Sequence, residues 1–402
     1  MGMLQHIALL GRQPYLGLAE LESLFGAACI SPLGEHAALI ETDESIIFNR
    51  LGGVIKLAKL LTVLDTTEWK NIEQHLISVV QEHSSHLPDG KMTLGLSVYG
   101  LAVKPDKINA TGLKLKKLIK ATGRPVRVVP NKTPDLSSAQ VLHNNLTGER
   151  AWEIIFIGVG NKTYLAQTIN VQDINAYAAR DQVRPKRDAR VGMLPPKLAQ
   201  IIINLAVGKN PEYRSLNTEV TSEFKILDPF CGTGVILQEA LLMGYSVYGT
   251  DLEPRMIEYS EANLRWLNSG FRIQNSEFRT EAGDATIHKW SKFDVIAAET
   301  YLGRPFSALP SPDVLRKVME DVDMIHKKFL QNVAKQTKPG FRMCIAVPAW
   351  KTSHGFAHLK MLDNLGELGY TRAVFTHVDS RDLVYHRPEQ TVARELVVLI
   401  RK

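Results

Sequence analysis

Residues 226–251, ILDPFCGTGVILQEALLMGYSVYGTD, decide the fold. An apolar strand (224–228) runs into a tight turn that carries Gly232 and Gly234. A helix follows over 234–243, and a second strand, YSVYGTD (245–251), ends on Asp251. Strand, glycine turn, helix and strand form the repeating unit of a doubly wound α/β sheet. The glycines let a ligand approach the backbone, and the helix N-terminus faces it. Asp251 lies 19 residues after Gly232, where an acid can accept hydrogen bonds from both hydroxyls of a ribose.

The same stretch discriminates among nucleotide ligands. A dinucleotide site offers a third glycine at the helix start so that a pyrophosphate can sit there. Here Ile236 and Leu237 stand at that place, and Asp228 at the strand end would repel a pyrophosphate. A buried anion suits a ligand that carries an ammonium or a sulfonium charge. S-adenosylmethionine carries both, and its ribose suits Asp251. The GDA turn (283–285) follows a further expected strand and supplies Asp284 for the adenine amino group, although an acid also serves there simply to close the turn.

Outward from this unit the alternation continues. Strands are expected at 293–299, 341–348, 373–379 and 395–401, with helices at 311–336 and 356–368. The last two strands follow one another without a helix, which predicts an antiparallel hairpin on an otherwise parallel sheet. Helix 196–206 opens this Rossmann-like domain, 196–402. Upstream, strand 4–10, helix 16–26, strand 37–42, helix 44–52 and strand 54–64 predict a small ferredoxin-like α/β domain over 1–69. A second α/β domain spans 70–172: helix 70–84, strand 92–100, helix 109–121, strand 126–129, helix 137–146, and strands 152–160 and 163–170. Residues 173–195, rich in Arg, Asp and Pro, are expected to be a linker.

Of the 402 residues, 45% are hydrophobic and 22% charged, which excludes a disordered or collagen-like chain. No apolar run reaches 18 residues, and the opening MGMLQHIALLGRQPYLG lacks the basic start and small-residue cleavage site of a signal peptide. Cys29, Cys231 and Cys344 are far apart, which fits neither a disulfide framework nor a zinc cluster. The expectation is a cytoplasmic protein without a metal. Charge is uneven. Residues 101–200 hold 17 Lys/Arg against 7 Asp/Glu, while residues 1–100 hold 6 against 11. Within 103–132, nine basic residues, among them Lys114, Lys116, Lys117, Lys120 and Arg124, face one acid, Asp106. A second cluster is Arg180, Arg184, Lys186, Arg187 and Arg190. Charge runs often only solvate a helix face, but two clusters in one hundred residues point to a polyanion and make these side chains candidate RNA contacts.

DPFCGTG (228–234) resembles motif I of the S-adenosylmethionine-dependent methyltransferases that carry a THUMP domain. The chain as a whole most resembles the tRNA guanosine-10 N2-methyltransferases. GRQPYLGLAELESLFG is similar to that family's opening, SAQVLHNNL (138–146) to its THUMP helix, and YHRPEQTVARELVVL (385–399) to its terminal hairpin. RDQVRPKRDARVGMLPPKLAQIIINLA (180–206) is similar to its connector and the following segment, which closes over the methionine part of the cofactor. The resemblance implies an RNA-binding module at 70–172 that engages the acceptor end of tRNA. It also implies a cofactor site of Asp228, Pro229, Phe230, Cys231, Gly232, Thr233, Gly234, Asp251, Leu252, Gly283, Asp284, Ala285 and Glu299, with Pro196 and Lys197 from the connector. The expected partner is tRNA and the expected state a monomer; an activating subunit stays open.

Amino-directed methyltransferases carry an Asp/Asn/Ser-Pro-Pro-aromatic motif after the fourth strand. Its side chain and first proline carbonyl accept from the target amine, and its ring stacks on the base. Here Glu299, Thr300, Tyr301 and Leu302 hold the four positions, with Gly303 following. Both prolines are gone and the aromatic comes one place early. Glu299 is then the candidate acceptor and proton acceptor, and Tyr301 the candidate platform. Two other readings stay open: a tRNA-binding protein whose catalytic motif has decayed, and a methyltransferase for another base or nucleic acid. Cys231 as a C5-directed nucleophile is the weaker reading of that residue. His143 and Asn145 are equally suited to RNA contact or packing, and Trp152, Trp266 and Trp350 read as packing residues.

Overall fold

A computed structural model describes residues 4–188, 194–209, 224–271, 277–304, 306, 310–353 and 355–402. Arg190 of the second basic cluster and Pro305, the end of the ETYLGRP run, lie outside the described residues. Contacts group the chain into two units: Met1–Pro14, Ala28–Asn49 and Val54–Ala176 form the first, and Tyr15–Ala27, Arg50–Gly53 and Tyr177–Lys402 the second. Helix α1 (Pro14–Phe25) thus falls in the second unit from its second residue on.

The first unit is built on strands β1 (Leu4–Leu10), β2 (Ile30–Leu33), β3 (Ala37–Thr42), β4 (Val54–Leu64), β5 (Met92–Tyr99), β6 (Val126–Val128), β7 (Ala151–Val159) and β8 (Lys162–Val171), in the order β2-β3-β1-β4-β8-β7-β5-β6. Helices α2 (Trp69–Ser85) and α3 (Pro105–Ala121) bury Ile72, Leu76 and Val80, and Ile108, Leu115 and Ile119, a helical spacing. These side chains meet Leu94, Leu96, Ile154 and Phe156 of the sheet. Helix α4 (Ser138–His143) starts on a capping box between Ser137 and Gln140.

The expected boundary at 69/70 does not interrupt this sheet. Strand β4, 11 residues long, pairs with β8 from Lys56 opposite Val171 to Leu64 opposite Thr163. A buried polar network crosses the same seam. The Lys56 ammonium donates to Glu153 Oε1 at 2.5 Å and to the Leu136 carbonyl at 2.6 Å, while Ser97 and Thr168 donate to the two oxygens of Glu153. Lys56 and Glu153 are 1% and 0% exposed, so each charge depends on the other. The helix expected at 44–52 shrinks to a 3-10 turn, Phe48–Arg50. Just beyond it, the Gly52 and Gly53 N–H groups donate to the Glu20 carboxylate at 2.9 and 2.8 Å rather than to a helix ladder. The expected linker carries helix α5 (Ile174–Gln182).

The second unit follows the doubly wound plan. Helix α6 (Pro196–Val207) precedes β9 (Lys225–Asp228), α7 (Val235–Leu242), β10 (Ser246–Asp251), α8 (Pro254–Phe271), β11 (Phe278–Ala282), β12 (Val295–Glu299), α9 (Pro312–Gln336), β13 (Arg342–Thr352), β14 (Gly355–Ala357), β15 (Tyr370–Arg372), β16 (Val384–Tyr385) and β17 (Val392–Arg401). The sheet order is β11-β10-β9-β12-β13-β17-β15, with β14 against β13 and β16 against β17. The β11-β10-β9-β12-β13 ladder is parallel, and β17 runs antiparallel to β13 and β15. This is a Rossmann-like α/β fold with a mixed sheet. Helix α9 lays Val318, Val322, Phe329, Leu330 and Val333 on the core beside Ile296, Ile345 and Val397.

Two expected elements here are corrected. The helix at 356–368 is β14 followed by a 3-10 turn, Lys360–Asn364. The Met361 N–H is taken by Asp323 of α9 at 2.7 Å, and Gly369 turns the chain at φ +83°. The strand at 373–379 is only the three-residue β15, at 370–372. Beyond it the Thr376 and His377 N–H groups leave the ladder and donate to Glu22 of α1 at 2.5 and 3.0 Å.

Candidate active site

Strand order reverses between β9 and β12, and ligands of open α/β sheets bind at such a switch point, outside the carboxyl ends of the strands. Asp228 ends β9 and Glu299 ends β12 there. The Asp228 carboxylate is 2% exposed and accepts from the Phe230 N–H at 3.1 Å. Burial pushes its pKa well up, the neighbouring Asp251 and Glu299 charges push the same way, and the Phe230 N–H opposes. Next comes the turn. The Cys231 N–H donates to the Thr250 carbonyl at 2.9 Å and the Gly232 N–H to Asp251 Oδ2 at 2.9 Å. Gly234 has φ +82°, and a Cβ there would lie 2.5 Å from Ser260 Oγ, so the backbone of the turn and α8 admit no side chain. Asp251 Oδ1 also accepts from the Glu253 N–H at 3.0 Å, and burial raises the Asp251 pKa. Asp284 follows β11 and closes its own turn on the Thr286 N–H and hydroxyl, both at 2.8 Å.

These groups line one cleft of about 890 Å³, with Phe230, Leu252, Met256 and Ala285 as apolar walls and Glu299, Thr300, Tyr301 and Gly303 at its far side. The volume lies in the range of ligand sites, roughly 300–1,000 Å³. The floor is acidic (Asp228, Asp251, Asp284, Glu299), while the exposed Arg255, Arg304 and Lys328 reach it from the rim.

The segment after β12 is tied down at two points. Thr300 N–H donates to the Ala346 carbonyl at 3.0 Å, and its Oγ1 lies 2.7 Å from His326 Nε2 and 2.9 Å from the same carbonyl. His326 is fully buried, with Nδ1 2.7 Å from the Val322 carbonyl, and burial pulls its pKa down to about 4. A neutral ring donating from Nδ1 leaves Nε2 as an acceptor, which shares the single Thr300 hydroxyl proton with the Ala346 carbonyl. The second point is Glu299, whose Oε1 accepts from Arg394 Nε of β17; the two side chains are 15% and 5% exposed. Tyr301 is 44% exposed at the mouth of the cleft.

The structure thus brings together Asp228 through Thr233, Asp251, Leu252, Gly283 to Ala285, Glu299 and Tyr301, while Gly234 packs against Ser260 of α8 and is not among the described cleft-lining residues. Pro196 and Lys197 are not among the described cleft-lining residues; Leu194, two places earlier, is. Burial lowers the Lys197 pKa, and its ammonium sits 5.1 Å over the Tyr177 ring. Burial also holds the Cys231 pKa well up, so it lacks the thiolate that nucleophilic chemistry needs.

The basic clusters divide. Lys114, Lys117 and Lys120 are exposed on α3 at helical spacing, Lys116 is half-buried, and Lys114 pairs with Glu73 at 2.8 Å. Arg124 instead fastens a loop, donating to the Pro88 and Leu87 carbonyls at 2.7 and 2.8 Å. Arg180 and Arg184 are corrections. Arg180 forms an ion pair with buried Glu239 at 2.8 Å, and Arg184 is 3% exposed, so neither offers its charge to a polyanion. Lys186 and Arg187 are exposed, as are His143 and Asn145. Trp152 and Trp350 are buried packing residues. Sequence reading missed Arg394, His326 and Thr300. The clue for Arg394 was a cation, with Glu395 next to it, inside a largely apolar strand, VARELVVLI.

Residues 220–385 match the family model described as a methyltransferase domain. Among curated proteins, the chain is 30% identical over 158 residues to the tRNA (guanine(10)-N2)-dimethyltransferase of Methanothermobacter thermautotrophicus, and 31% identical over 159 residues to that of Pyrococcus abyssi. Each match covers 39% of this chain and 39% of the relative, so the chain aligns with about two fifths of the length of these curated relatives. Among solved structures, TrmN from Thermus thermophilus superposes with a TM-score of 0.51 at 16% identity, covering 99% of this chain and all of the other. SMU.472, a putative methyltransferase complexed with SAH, gives 0.50 at 11% identity over 100% and 99% of the two chains. These two likenesses concern the fold.

Proposed function

We propose that this protein methylates tRNA from S-adenosylmethionine, at N2 of a guanosine, with guanosine 10 as the target. The observation that carries the reading is the acidic floor of the cleft, Asp228 beside Asp251 and Asp284 at three neighbouring strand ends, opening directly onto Glu299 and Tyr301. The curated relatives support the choice of tRNA and of the guanine amino group.

The residues fit the cofactor. Asp228, buried with a single backbone donor, is relieved by the ligand's positive charge. Asp251 accepts from the ribose, Asp284 from the adenine amine, and Gly232, in the left-handed region at φ 50° and lining the cleft, lets the ligand come close to the backbone of the turn. Bound there, S-adenosylmethionine supplies a methyl on a sulfonium sulfur, whose bonding pair stays with sulfur as the new nitrogen–carbon bond forms. Glu299 accepts a hydrogen bond from the guanine amine. It turns that amine's lone pair towards the methyl and receives the proton the nitrogen sheds. Tyr301, half exposed beside it, stacks on the base. The first unit carries a THUMP-type RNA-binding module over 70–172, and residues 1–69 supply a ferredoxin-like part. It presents the α3 lysines to the phosphates and reads tRNA by shape. The protein works as a cytoplasmic monomer.

Single-turnover transfer tests the roles. Glu299→Gln keeps cofactor and tRNA affinity and slows methyl transfer by about 10²-fold. Transfer at the wild-type rate would remove Glu299 from the chemistry. One observation favours the rival reading, a binder without catalysis: Arg394 engages Glu299. That reading predicts bound cofactor and bound tRNA with no methyl transferred.

A further inference from the structure

We infer that Arg394, on the last strand, is a positioning residue that holds Glu299 in its working geometry and replaces the two prolines missing from the catalytic segment. The inference rests on the methyltransferase reading of the cleft. Consecutive prolines fix two backbone φ angles and so hold a segment stiff. In Glu299-Thr300-Tyr301-Leu302 nothing covalent does this.

Two contacts stand in. The Thr300 bonds to Ala346 and His326 hold the backbone one residue after Glu299, but they leave its side chain free to rotate. Arg394 supplies the rest. Its Cα is fixed in the β13–β17 ladder opposite Pro348, and its guanidinium, 5% exposed, donates from Nε to Glu299 Oε1 and from Nη1 to Gln390 Oε1 at 3.4 Å. A planar guanidinium fixes direction as well as distance. With Oε1 occupied, Oε2 is left to accept from a target amine. Arg394 also offsets the Glu299 charge beside Asp228 and Asp251, which eases the crowding of acids on the cleft floor. The cation Arg394 in the terminal strand and the loss of the prolines thus have a single explanation.

The test compares Arg394→Met, Arg394→Lys, Glu299→Gln and the double variant Glu299→Gln/Arg394→Met. We expect Arg394→Met to slow single-turnover methyl transfer by about 10²-fold, the cost of a small misplacement, with cofactor and tRNA dissociation constants unchanged. Arg394→Lys recovers part of the rate. The double variant is no slower than Glu299→Gln alone, because both changes remove one function. Hydrogen exchange over residues 299–304 quickens in Arg394→Met. Should Arg394→Met fail to fold, the double variant, which strands no charge, still carries the comparison. Wild-type transfer by Arg394→Met, or losses that multiply in the double variant, would overturn the proposal. If the wild-type protein transfers no methyl, the functional reading fails and exchange over 299–304 alone decides on Arg394: unchanged protection in Arg394→Met overturns it.

Discussion

Asp228 holds a carboxylate at 2% exposure with one backbone donor and two other acids nearby. Its raised pKa means that a cationic ligand binds best to the ionised form and pulls protons off on binding. Calorimetry of S-adenosylmethionine in buffers of different ionisation enthalpy should therefore show net proton release that disappears in Asp228→Asn. Asp251→Ala should weaken the cofactor by about 1.5–3 kcal/mol, the scale of a hydrogen bond to a charged group; unchanged affinity in a folded variant would remove Asp251 from the site. His326 gives a pH signature of stability. Its pKa falls from 6.5 to about 4 in the folded protein, so the unfolded chain takes up the proton first. The contribution of His326 to stability is full above pH 6.5, is lost between 6.5 and about 4, and does not change below, about 3 kcal/mol in all. Denaturant titrations across that window should show the drop in the wild type and lose it in His326→Gln. Asp228, Asp251 and Asp284 were legible because each sits in a short run whose turn chemistry is local. Arg394 was not, because it meets Glu299 from 95 residues away in the chain; a pattern along the sequence shows the cation but not what it faces.

At the scale of elements, the second unit's parallel strands declare themselves as apolar runs before glycine turns. Strand 224–228, helix 234–243 and strand 245–251 emerge within a residue of their expected ends. Three of the misread elements share one cause. At 44–52 and 373–379 the competing partner is a buried carboxylate of α1, Glu20 or Glu22, and at 356–368 it is Asp323 of α9. In each case a distant acid captures backbone N–H groups that local propensity assigns to a helix or strand, and propensity yields to such partners. The seam between residues 69 and 70 was likewise invisible as a shared sheet, since alternation reports strands and not their neighbours. The Lys56–Glu153 pair tests that seam. Glu153→Ala leaves an uncompensated buried ammonium and should cost about 3–5 kcal/mol, read as a fall in the first unit's unfolding midpoint. A change within error would show that the network does not hold β4 to β7 and β8.

For the whole molecule, the uneven charge is the feature with most consequence. The exposed lysines of α3 stand on a chain whose first hundred residues are net acidic. tRNA affinity should fall steeply with salt. Neutralising Lys114, Lys117 and Lys120 together should flatten the log–log slope by about two to three, since each phosphate contact contributes roughly 0.7–0.9. Replacing the buried Arg184 should leave the slope alone, and an affinity indifferent to salt would contradict a phosphate-reading surface. Among the described residues no helix is long and apolar enough to cross a membrane. The central claim is that the acidic cleft at the switch point and the Glu299 segment beside it make one methylating site for tRNA. Mass spectrometry of nucleosides from tRNA incubated with the protein and isotopically labelled S-adenosylmethionine tests it most directly. The account predicts label in an N2-methylated guanosine that maps to position 10. Bound cofactor and bound tRNA with no label in any nucleoside would contradict it.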